Sequence, residues 1–593
     1  MKNALLFIGL VFAHLGFSQT TVEFVLSDFP EGKQMGIRGS AVPLSWDKSL
    51  PLKKNGALYS IVLEFPVETE EVEFKFVHPE GDEIKWETNE NRVLNLKSES
   101  PIVSKNEWNV EQLIDISKLP KLSPEALLAD YQYIEKMVLD VHPGTYRYNN
   151  ESDIQKALTA LRSTFQNPLS YGEAYLAINK LTAQLKCSHT MSGIYNQKAI
   201  INSLIHRQAD KLPFSFTWIE DKMILLENAS EQRSLTKGTQ IVSINGKSTA
   251  DIQKEMMDYI PADGSTDHSR KAYLDVNGYS FQYNAFDAFF ALLYPFNGNE
   301  VTLEVLTPNN AQKEVFTVAT LTRKERAEKL AARYPDFPTK DEDLWKLDIT
   351  EDNIGILSIN TFVLYGLGAS GIDYKAFFKS AFAQLKAAKV NDLIIDIRQN
   401  LGGNDEIAEE LFTYFNIDKD APALDQIGKS RYLKFPEMLK PHIKTWGDNP
   451  WFYKLEPDEV DEENGYYIFN DDFEEQKLKR KKNAFKGNVY LLTSPLNVSL
   501  AYYCAANFKL KKVGQIVGQE TGGNQRDFNG GQIVFLYLPN SGIEVEFPVV
   551  GAFTTQPRPD KGIVPDYEVK PTVKDIVDGV DTELSFTLAM IRK

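Results

Sequence analysis

The feature that most constrains the fold is the alternation of apolar strands and helices over residues 340–593. The stretches "NIGILSINTF" and "VNDLIIDIRQNLGG" are nearly continuous apolar strands, and "YKAFFKSAFAQLKAAK" and "NDEIAEELFTYF" have helical character. A strand that is apolar at almost every position needs cover on both faces, which intervening helices provide. The pattern predicts an α/β core. A long polar and aromatic insertion at 416–487 interrupts it and is predicted to be a cover or a recognition surface.

The rest of the 593-residue chain is too long to share that one core, so further domains are expected. Residues 19–109 alternate apolar and polar positions between Gly, Pro and Asp turns, which predicts an antiparallel β-sandwich. Residues 120–200 carry helical stretches with apolar positions three and four apart. Residues 205–325 are again rich in strands. The expected fold class is therefore multidomain α/β.

The N-terminus has the pattern of a cleaved export signal. Lys2 precedes an apolar stretch from Ala4 to Phe17, and the small residues Gly16 and Ser18 fit a cleavage site before Gln19. We expect residues 1–18 to be removed, and the mature protein to be exported to a periplasmic, cell-surface or extracellular location. A buried N-terminal strand is the alternative.

Charge and composition exclude several classes of partner and cofactor. The 65 basic and 82 acidic residues leave a net charge of −17 without a long basic run, which argues against nucleic acid as a partner. No later segment has about 18 uninterrupted apolar residues, so an integral membrane protein is not expected. The seven His lack metal-ligand spacing and no phosphate-cradling motif is present, so neither metal nor cofactor is predicted.

One serine at a strand–helix junction is a candidate nucleophile. In "VYLLTSPLNVSLAYYCAANF" an apolar strand breaks at Thr493-Ser494-Pro495, and Ser499 falls in the first helical turn with Asn497 as the expected N-cap. Helix starts favour Ser on local grounds, so this position alone indicates no chemistry. Two other features add to it. The glycine pair Gly402–Gly403 follows a buried strand, and His189 in "CSHT" has the side chain best suited to act as a base.

Together these fragments resemble the family of C-terminal processing peptidases, tricorn core proteases and interphotoreceptor retinoid-binding proteins. The landmarks lie in order along the chain: Asp396-Ile-Arg398-x-Asn400-x-Gly402-Gly403, Ser499, Thr521-Gly522-Gly523 and the stretch "GIVPDYEV". The resemblance implies a crotonase-like or ClpP-like peptidase core at 340–593 and a helical domain at 120–200. Residues 205–325 resemble a PDZ domain, with Gly238 to Gly246 matching its "G-d-x-I-x-x-I-N-G" stretch. Polypeptides are the implied substrates.

The resemblance also suggests which group activates Ser499. Processing peptidases use a Lys at a turn where this chain has Asn524, which carries no titratable amine. The tricorn-like branch takes a His from a Ser-His pair, present here as Ser188-His189. His189 would then be the base and Ser188 a supporting residue, while His142 is a second candidate base or a structural helix-end His.

The same resemblance implies oxyanion donors and an acid. The backbone N–H of Leu500 and that of Gly402 or Gly403 would hold the oxyanion. The acidic residue of the tricorn-like branch has its nearest counterpart in Asp560. The predicted function is a secreted serine endopeptidase, and the alternative is a catalytically inactive scaffold that binds peptides or glycans.

Residues 19–109 resemble starch-binding carbohydrate-binding modules. The matching positions are Trp46, Phe74-Lys75-Phe76, Trp86-Glu87 and Asn91-Arg92. Trp46 and Trp86 would stack on sugar rings if they are exposed and coplanar, and would otherwise only hold the sandwich together. The two cysteines, Cys187 and Cys504, fall in the peptidase motifs, either as a disulfide or as two buried thiols.

Overall fold

The computed structural model describes residues 19–593 with some gaps. The residues outside the description are 1–18, 31, 57, 70, 82, 88–90, 97–100, 110–115, 278–283, 309, 311, 336, 338–343, 370, 418–420, 423, 447–449, 471–479 and 483. The expected export signal and parts of the 416–487 insertion therefore lie outside the described residues. The chain divides into two compact units, Met1–Asp115 and Ile116–Lys593.

The first unit consists of strands in two sheets. One sheet has the order β4-β5-β1-β9, and the other has β3-β2-β6-β7 with β8 paired to β6. Alternate side chains of β1 are buried, as expected for a strand with one face on a core, and Phe24, Phe65 and Phe74 lie in that core. The strands are β1 Gln19–Ser27, β2 Gly36–Gly39, β3 Leu50–Pro51, β4 Lys53–Asn55, β5 Leu58–Pro66, β6 Glu71–Glu80, β7 Glu83–Trp86, β8 Arg92–Asn95 and β9 Ile102–Glu107.

The second unit begins with helices and continues into a six-stranded sheet. The helix α1 starts as its sequence predicts, because the Ser123 side chain accepts a hydrogen bond from the Ala126 N–H and Pro124 follows it. The sheet has the order β10-β11-β12-β14-β15, with β13 paired to β12. The PDZ resemblance of this region stays a prediction. The elements are α1 Pro124–Lys136, α2 Glu151–Thr164, α3 Tyr171–Gln184, α4 Ala199–Asn202, β10 Phe214–Ile219, β11 Lys222–Asn228, β12 Gln240–Ile244, β13 Lys247–Ser248, α5 Thr249–Met256, α6 Asp267–Ala272, α7 Ala285–Leu293, β14 Glu300–Leu306, β15 Glu314–Ala319 and α8 Arg323–Arg333.

The remaining residues form two six-stranded sheets. The first has the order β16-β17-β18-β23-β24-β27, and every pairing except the antiparallel β16–β17 is parallel. The second has the order β20-β25-β26-β19-β22-β21. The elements are β16 Trp345–Ile349, β17 Ile354–Ile359, α9 Leu364–Ala369, α10 Tyr374–Ala387, β18 Asp392–Asp396, α11 Asp405–Phe412, β19 Ile427–Ser430, β20 Ile443–Lys444, β21 Val460–Glu463, β22 Tyr466–Phe469, β23 Asn488–Thr493, α12 Ser499–Leu510, β24 Gln515–Gly518, β25 Gln532–Tyr537, β26 Glu544–Phe553, β27 Tyr567–Glu568, α13 Val573–Asp578 and α14 Thr582–Ile591.

The cores of the second unit show how these parts are joined. One hydrophobic cluster includes residues from α1 to α3, from the sheet between 214 and 319, and from the second sheet, such as Ile178, Phe216 and Phe547. A separate cluster packs helices against the parallel sheet and includes the buried residues Leu393 and Leu491. The described strands of the 416–487 insertion, β19 to β22, share a sheet with β25 and β26. These features confirm the multidomain α/β fold.

Hydropathy adds one observation about membranes. Among the helices in the described residues, none combines the length and the apolar character needed to cross a bilayer.

Candidate active site

Ser499 lies where the parallel sheet presents the carboxyl end of β23. In open parallel sheets this edge is where ligands bind. Ser499 is half-buried and has a backbone φ of +50°, a left-handed conformation that non-glycine residues rarely adopt. Strained backbone of this kind is typical of functional positions that the surrounding structure holds in place.

The expected N-cap at Asn497 is wrong. The helix α12 begins at Ser499, and its N-cap is Val498, which offers no side-chain hydrogen bond. The Asn497 amide instead donates to the carbonyls of Ile397 (2.6 Å) and Asn400 (3.0 Å). Asn497 is fully buried, so its amide is used to tie the glycine turn to the serine junction, and the first N–H groups of α12 stay uncapped.

The imidazole of His189 lies next to the Ser499 hydroxyl. The distance from His189 Nε2 to Ser499 Oγ is 3.0 Å, and that from Nδ1 to Ser188 Oγ is 3.2 Å. The ring of Phe528 stacks on the imidazole, with centroids 5.6 Å apart and planes inclined by 25°. The structure therefore joins two residues that are 310 positions apart in the chain.

A carboxylate completes this chain of hydrogen bonds. Asp263 accepts from the Ser188 hydroxyl at 2.7 Å and from the Ser188 backbone N–H at 2.9 Å. Because the Ser188 proton is directed to the carboxylate, its oxygen is left to accept from Nδ1–H of His189. Nε2 is then unprotonated and accepts from the Ser499 hydroxyl, which is the tautomer that a general base requires.

Two opposing effects act on His189. Burial lowers the pKa of His189 below its usual value, and the nearby Asp263 carboxylate partly offsets that shift. His189 is half-buried, and Phe528 stacks on one face of its ring. The imidazole is therefore neutral at neutral pH and able to accept a proton.

Asp263 was missed in the sequence, where Asp560 was expected as the acid. The Asp560 carboxylate instead accepts hydrogen bonds from Ser265 (3.0 Å) and from the Asn524 amide (2.7 Å). Asn524 also donates to the Asp263 carbonyl at 3.1 Å. Asn524, at the position of the processing-peptidase Lys, thus holds the Asp263 loop. Asp263 stands 75 residues from Ser188 in "PADGS", which has the composition of an ordinary turn and no motif to single it out.

The glycine turn after β18 lies against the start of α12. Gly402 has a φ of +111° and Gly403 one of +139°, both in the region that favours glycine. A Cβ on Gly402 would lie 2.9 Å from the Leu500 nitrogen. The Gly402 N–H already donates to Asn400 Oδ1 at 2.8 Å. The N–H groups of Gly403 and Leu500 have no acceptor among the described residues, so both are available to donate to a ligand.

The second glycine turn, Thr521-Gly522-Gly523, lies beside α12. The Gly523 N–H donates to the Asn497 carbonyl at 2.9 Å, and a Cβ on Gly523 would lie 2.4 Å from Cβ of Tyr502.

The other candidate base, His142, is fully buried and contacts Thr190 and the Gly144 N–H. Burial lowers the pKa of His142 to about 3, which suits a structural, neutral imidazole.

An apolar pocket is lined by several residues that are close in the chain to Ser499, His189 and the glycine turn. It has a cavity volume of ≈ 60 Å³ and is lined by Met191, Phe289, Leu401 and Leu496, among others. Met191 is two residues from His189, Leu401 precedes Gly402, and Leu496 is three residues before Ser499.

Two further predictions concern the tryptophans and the cysteines. The planes of Trp46 and Trp86 are inclined by 43°, so the coplanar pair needed for sugar stacking is not formed. Glu87 and Arg92 form a buried ion pair at 2.8 Å, a structural role. Cys187 and Cys504 are separate buried thiols, not a disulfide.

Comparison with known proteins agrees with this fold. The model of peptidase family S41 matches residues 353–569. The structure titled mature CPAF complexed with lactacystin has a TM-score of 0.50 and 13% identity, covering 79% of this chain and 98% of that chain. A structure of a CPAF point mutant has a TM-score of 0.51 and 13% identity, covering 76% and 94%. A search of curated proteins gave no match.

At 13% identity, the structural likeness to CPAF supports the fold alone. The family match covers the segment that carries the glycine turn after β18, Ser499 and the "GIVPDYEV" stretch. The protein is thus a serine-type peptidase by class, and its segment 353–569 is similar to peptidase family S41.

Proposed function

We propose that this peptidase hydrolyses peptide bonds with Ser499 as nucleophile and His189 as general base. Ser499 Oγ attacks the carbonyl carbon while Nε2 of His189 takes its proton, and the imidazolium then protonates the leaving amine. A water molecule, deprotonated by the same imidazole, releases the acyl group from Ser499. The observation that carries the proposal is the continuous hydrogen-bonded chain Ser499–His189–Ser188–Asp263.

The backbone of the site supports the charged intermediate in this proposal. The N–H groups of Leu500 and Gly403 would donate to the oxyanion, and the first turn of α12 adds the positive end of a helix dipole. Removing one such donor typically slows the reaction by about 10²–10³-fold. Asp263 would stabilise the imidazolium through Ser188, as a positioning residue.

The substrate in this proposal is a polypeptide with an apolar side chain next to the cleaved bond. The apolar pocket formed by Met191, Phe289, Leu401 and Leu496 is the feature that supports this preference. Peptides that differ only at that position should separate by kcat/KM, with Leu or Met above Asp or Lys. The Leu496→Asp substitution should reduce that preference.

The proposal includes export of the mature chain after cleavage near Ser18, because the first residues have the pattern of a signal sequence. N-terminal sequencing of the protein recovered from an expressing culture tests this step. A mature N-terminus at Gln19 supports it, and an intact Met1 on the recovered protein contradicts it.

Labelling with a serine-reactive fluorophosphonate tests the chemistry. Wild-type protein should be labelled, and Ser499→Ala and His189→Ala should not. Lys509→Ala is the matched control, because Lys509 lies on the same helix but donates to the Val564 carbonyl, so this variant should keep its label. An unlabelled, folded wild-type protein would favour an inactive binding scaffold instead.

A further inference from the structure

A thiol lies beside the candidate base and its carboxylate. Cys187 Sγ, a ring nitrogen of His189 and a carboxylate oxygen of Asp263 all lie within 4.8 Å of one another. Cys187 and Asp263 are each 1% exposed, and His189 is half-buried. The Asn529 amide donates to Cys187 Sγ at 3.4 Å, which orients the sulfur. The peptidase chemistry proposed above makes no use of this thiol.

The three donors match the preferences of one class of metal ion. Zn²⁺ binds thiolate, imidazole and carboxylate, whereas Mg²⁺ and Ca²⁺ prefer sites made of oxygen alone. Tetrahedral Zn²⁺ with bonds of about 2.0–2.3 Å places its donors roughly 3.3–3.8 Å apart. From an upper limit of 4.8 Å, each pair of donor atoms has to approach by at most about 1.5 Å, a distance that side-chain rotation can cover.

We propose that Cys187, His189 and Asp263 form a Zn²⁺ site whose occupation switches off hydrolysis at Ser499. Three protein ligands leave the fourth position of a tetrahedral ion for water. The binding part of this proposal stands on the geometry of the cluster, and the inhibition part rests on the function proposed above.

Occupation stops hydrolysis whichever nitrogen of His189 binds the ion. Nε2 is the atom that takes the proton from Ser499, and Nδ1 is the atom that contacts Ser188. The ion also withdraws Asp263 from Ser188. Formation of a Zn–S bond at Cys187 would release the thiol proton to solvent.

The chain has only two cysteines, so single-thiol variants assign any metal–thiolate bond. Cys504→Ala leaves Cys187 as the sole thiol, and Cys187→Ser leaves Cys504. Both are made in the full chain carrying Ser499→Ala, so that binding is measured without any dependence on activity. Cd²⁺ is the probe, because it forms an ultraviolet charge-transfer band with thiolate.

We expect one equivalent of Cd²⁺ to produce the band in the Cys504→Ala protein and no band in the Cys187→Ser protein. Zn²⁺ should remove the band by displacing Cd²⁺. A band that persists in Cys187→Ser, or none in Cys504→Ala, overturns the site. Because the Cys504→Ala result stands alone, the test does not depend on the folding of Cys187→Ser.

Hydrolysis of a peptide substrate tests the switch in chains with Ser499 intact. Zn²⁺ should inhibit wild type and Cys504→Ala, and EDTA should restore them. For Cys187→Ser the Zn²⁺ concentration at half-inhibition should rise at least about 10-fold. A bound ion without inhibition, or inhibition unchanged in Cys187→Ser, overturns the switch. A wild-type protein without peptidase activity that still forms the band would contradict the proposed function and leave the metal site supported.

Discussion

Replacing Asp263 by Asn tests the relay most directly, because it removes a charge and keeps the shape of the side chain. In the proposed mechanism His189 becomes an imidazolium, and the Asp263 carboxylate lies within 4.8 Å of a ring nitrogen. At an effective dielectric constant of ~20, a pair of unit charges at that separation is worth about 3.5 kcal/mol. At ~1.4 kcal/mol per decade, the variant should lose about 10²–10³-fold in kcat/KM.

The assay is the pH profile of kcat/KM on a fluorogenic peptide. The base must be neutral, so activity falls as the pH drops through the pKa of His189. Burial lowers that pKa, which places the acidic limb of wild type below about pH 6.5. Asp263 acts to raise the same pKa, so Asp263→Asn should move the limb to still lower pH. A purely structural loss would lower the rate without moving the limb.

Asp560→Asn is the matched control. Asp560 contacts Asn524 and Ser265 and not the imidazole or Ser188, so its rate should stay within about 10-fold of wild type. A larger loss in Asp560→Asn than in Asp263→Asn, or an acidic limb that moves to higher pH in Asp263→Asn, would refute the assignment of Asp263.

Three other substitutions probe the site and the fold. Ser499→Gly removes the proposed nucleophile and should abolish hydrolysis. Because Ser499 is held at a φ of +50°, the same substitution should raise the free energy of unfolding by about 1 kcal/mol in urea titration. A stability below that of wild type would contradict the strain. A Cβ on Gly403 would lie 2.1 Å from the backbone of Phe362, so Gly403→Ala should displace the proposed oxyanion donor and lower kcat at least about 10²-fold. An unchanged kcat would exclude the Gly403 N–H as a donor. Burial lowers the pKa values of His142 and His206 to about 3 in the folded protein, so both are neutral there and bind protons on unfolding. Stability should then fall as the pH drops from 6.5, by about 2 kcal/mol per His at pH 5, and His142→Gln should show a smaller pH-dependent loss in denaturant titration.

The local features of the fold were predictable because short-range chemistry sets them. The start of α1 follows from Ser123 and Pro124, and the start of α5 follows from Ser248, whose side chain accepts from the Asp251 N–H. The parallel sheet follows from strands such as β18, whose side chains have to be buried on both faces. The prediction of an N-cap at Asn497 failed because its buried amide donates hydrogen bonds to two carbonyls that are 97 and 100 residues away in the chain.

In the candidate site, too, some residues were predictable from the sequence and others were not. Ser499 and His189 were identified through motifs and a family resemblance, without knowledge of their distance. Asp263 was not identified, because the sequence around a carboxylate in a turn does not indicate which residue it contacts. Only folding brings Asp263 to 2.7 Å from Ser188. The choice of Gly403 over Gly402 as the proposed oxyanion donor likewise depended on the Asn400 side chain, because Asn400 Oδ1 accepts a hydrogen bond from the Gly402 N–H.

The amino-acid sequence by itself determined the order of helices and strands, the glycine turns and the residue types able to act as nucleophile and base. Only the tertiary structure decided which carboxylate completes the relay, which N–H groups remain available and that Cys187 adjoins His189 and Asp263. The physical reason is range: propensity, capping and periodicity act over a few neighbouring residues, whereas hydrogen bonds in the site join groups up to 310 positions apart. Such contacts exist only after the separate hydrophobic faces of the chain have packed.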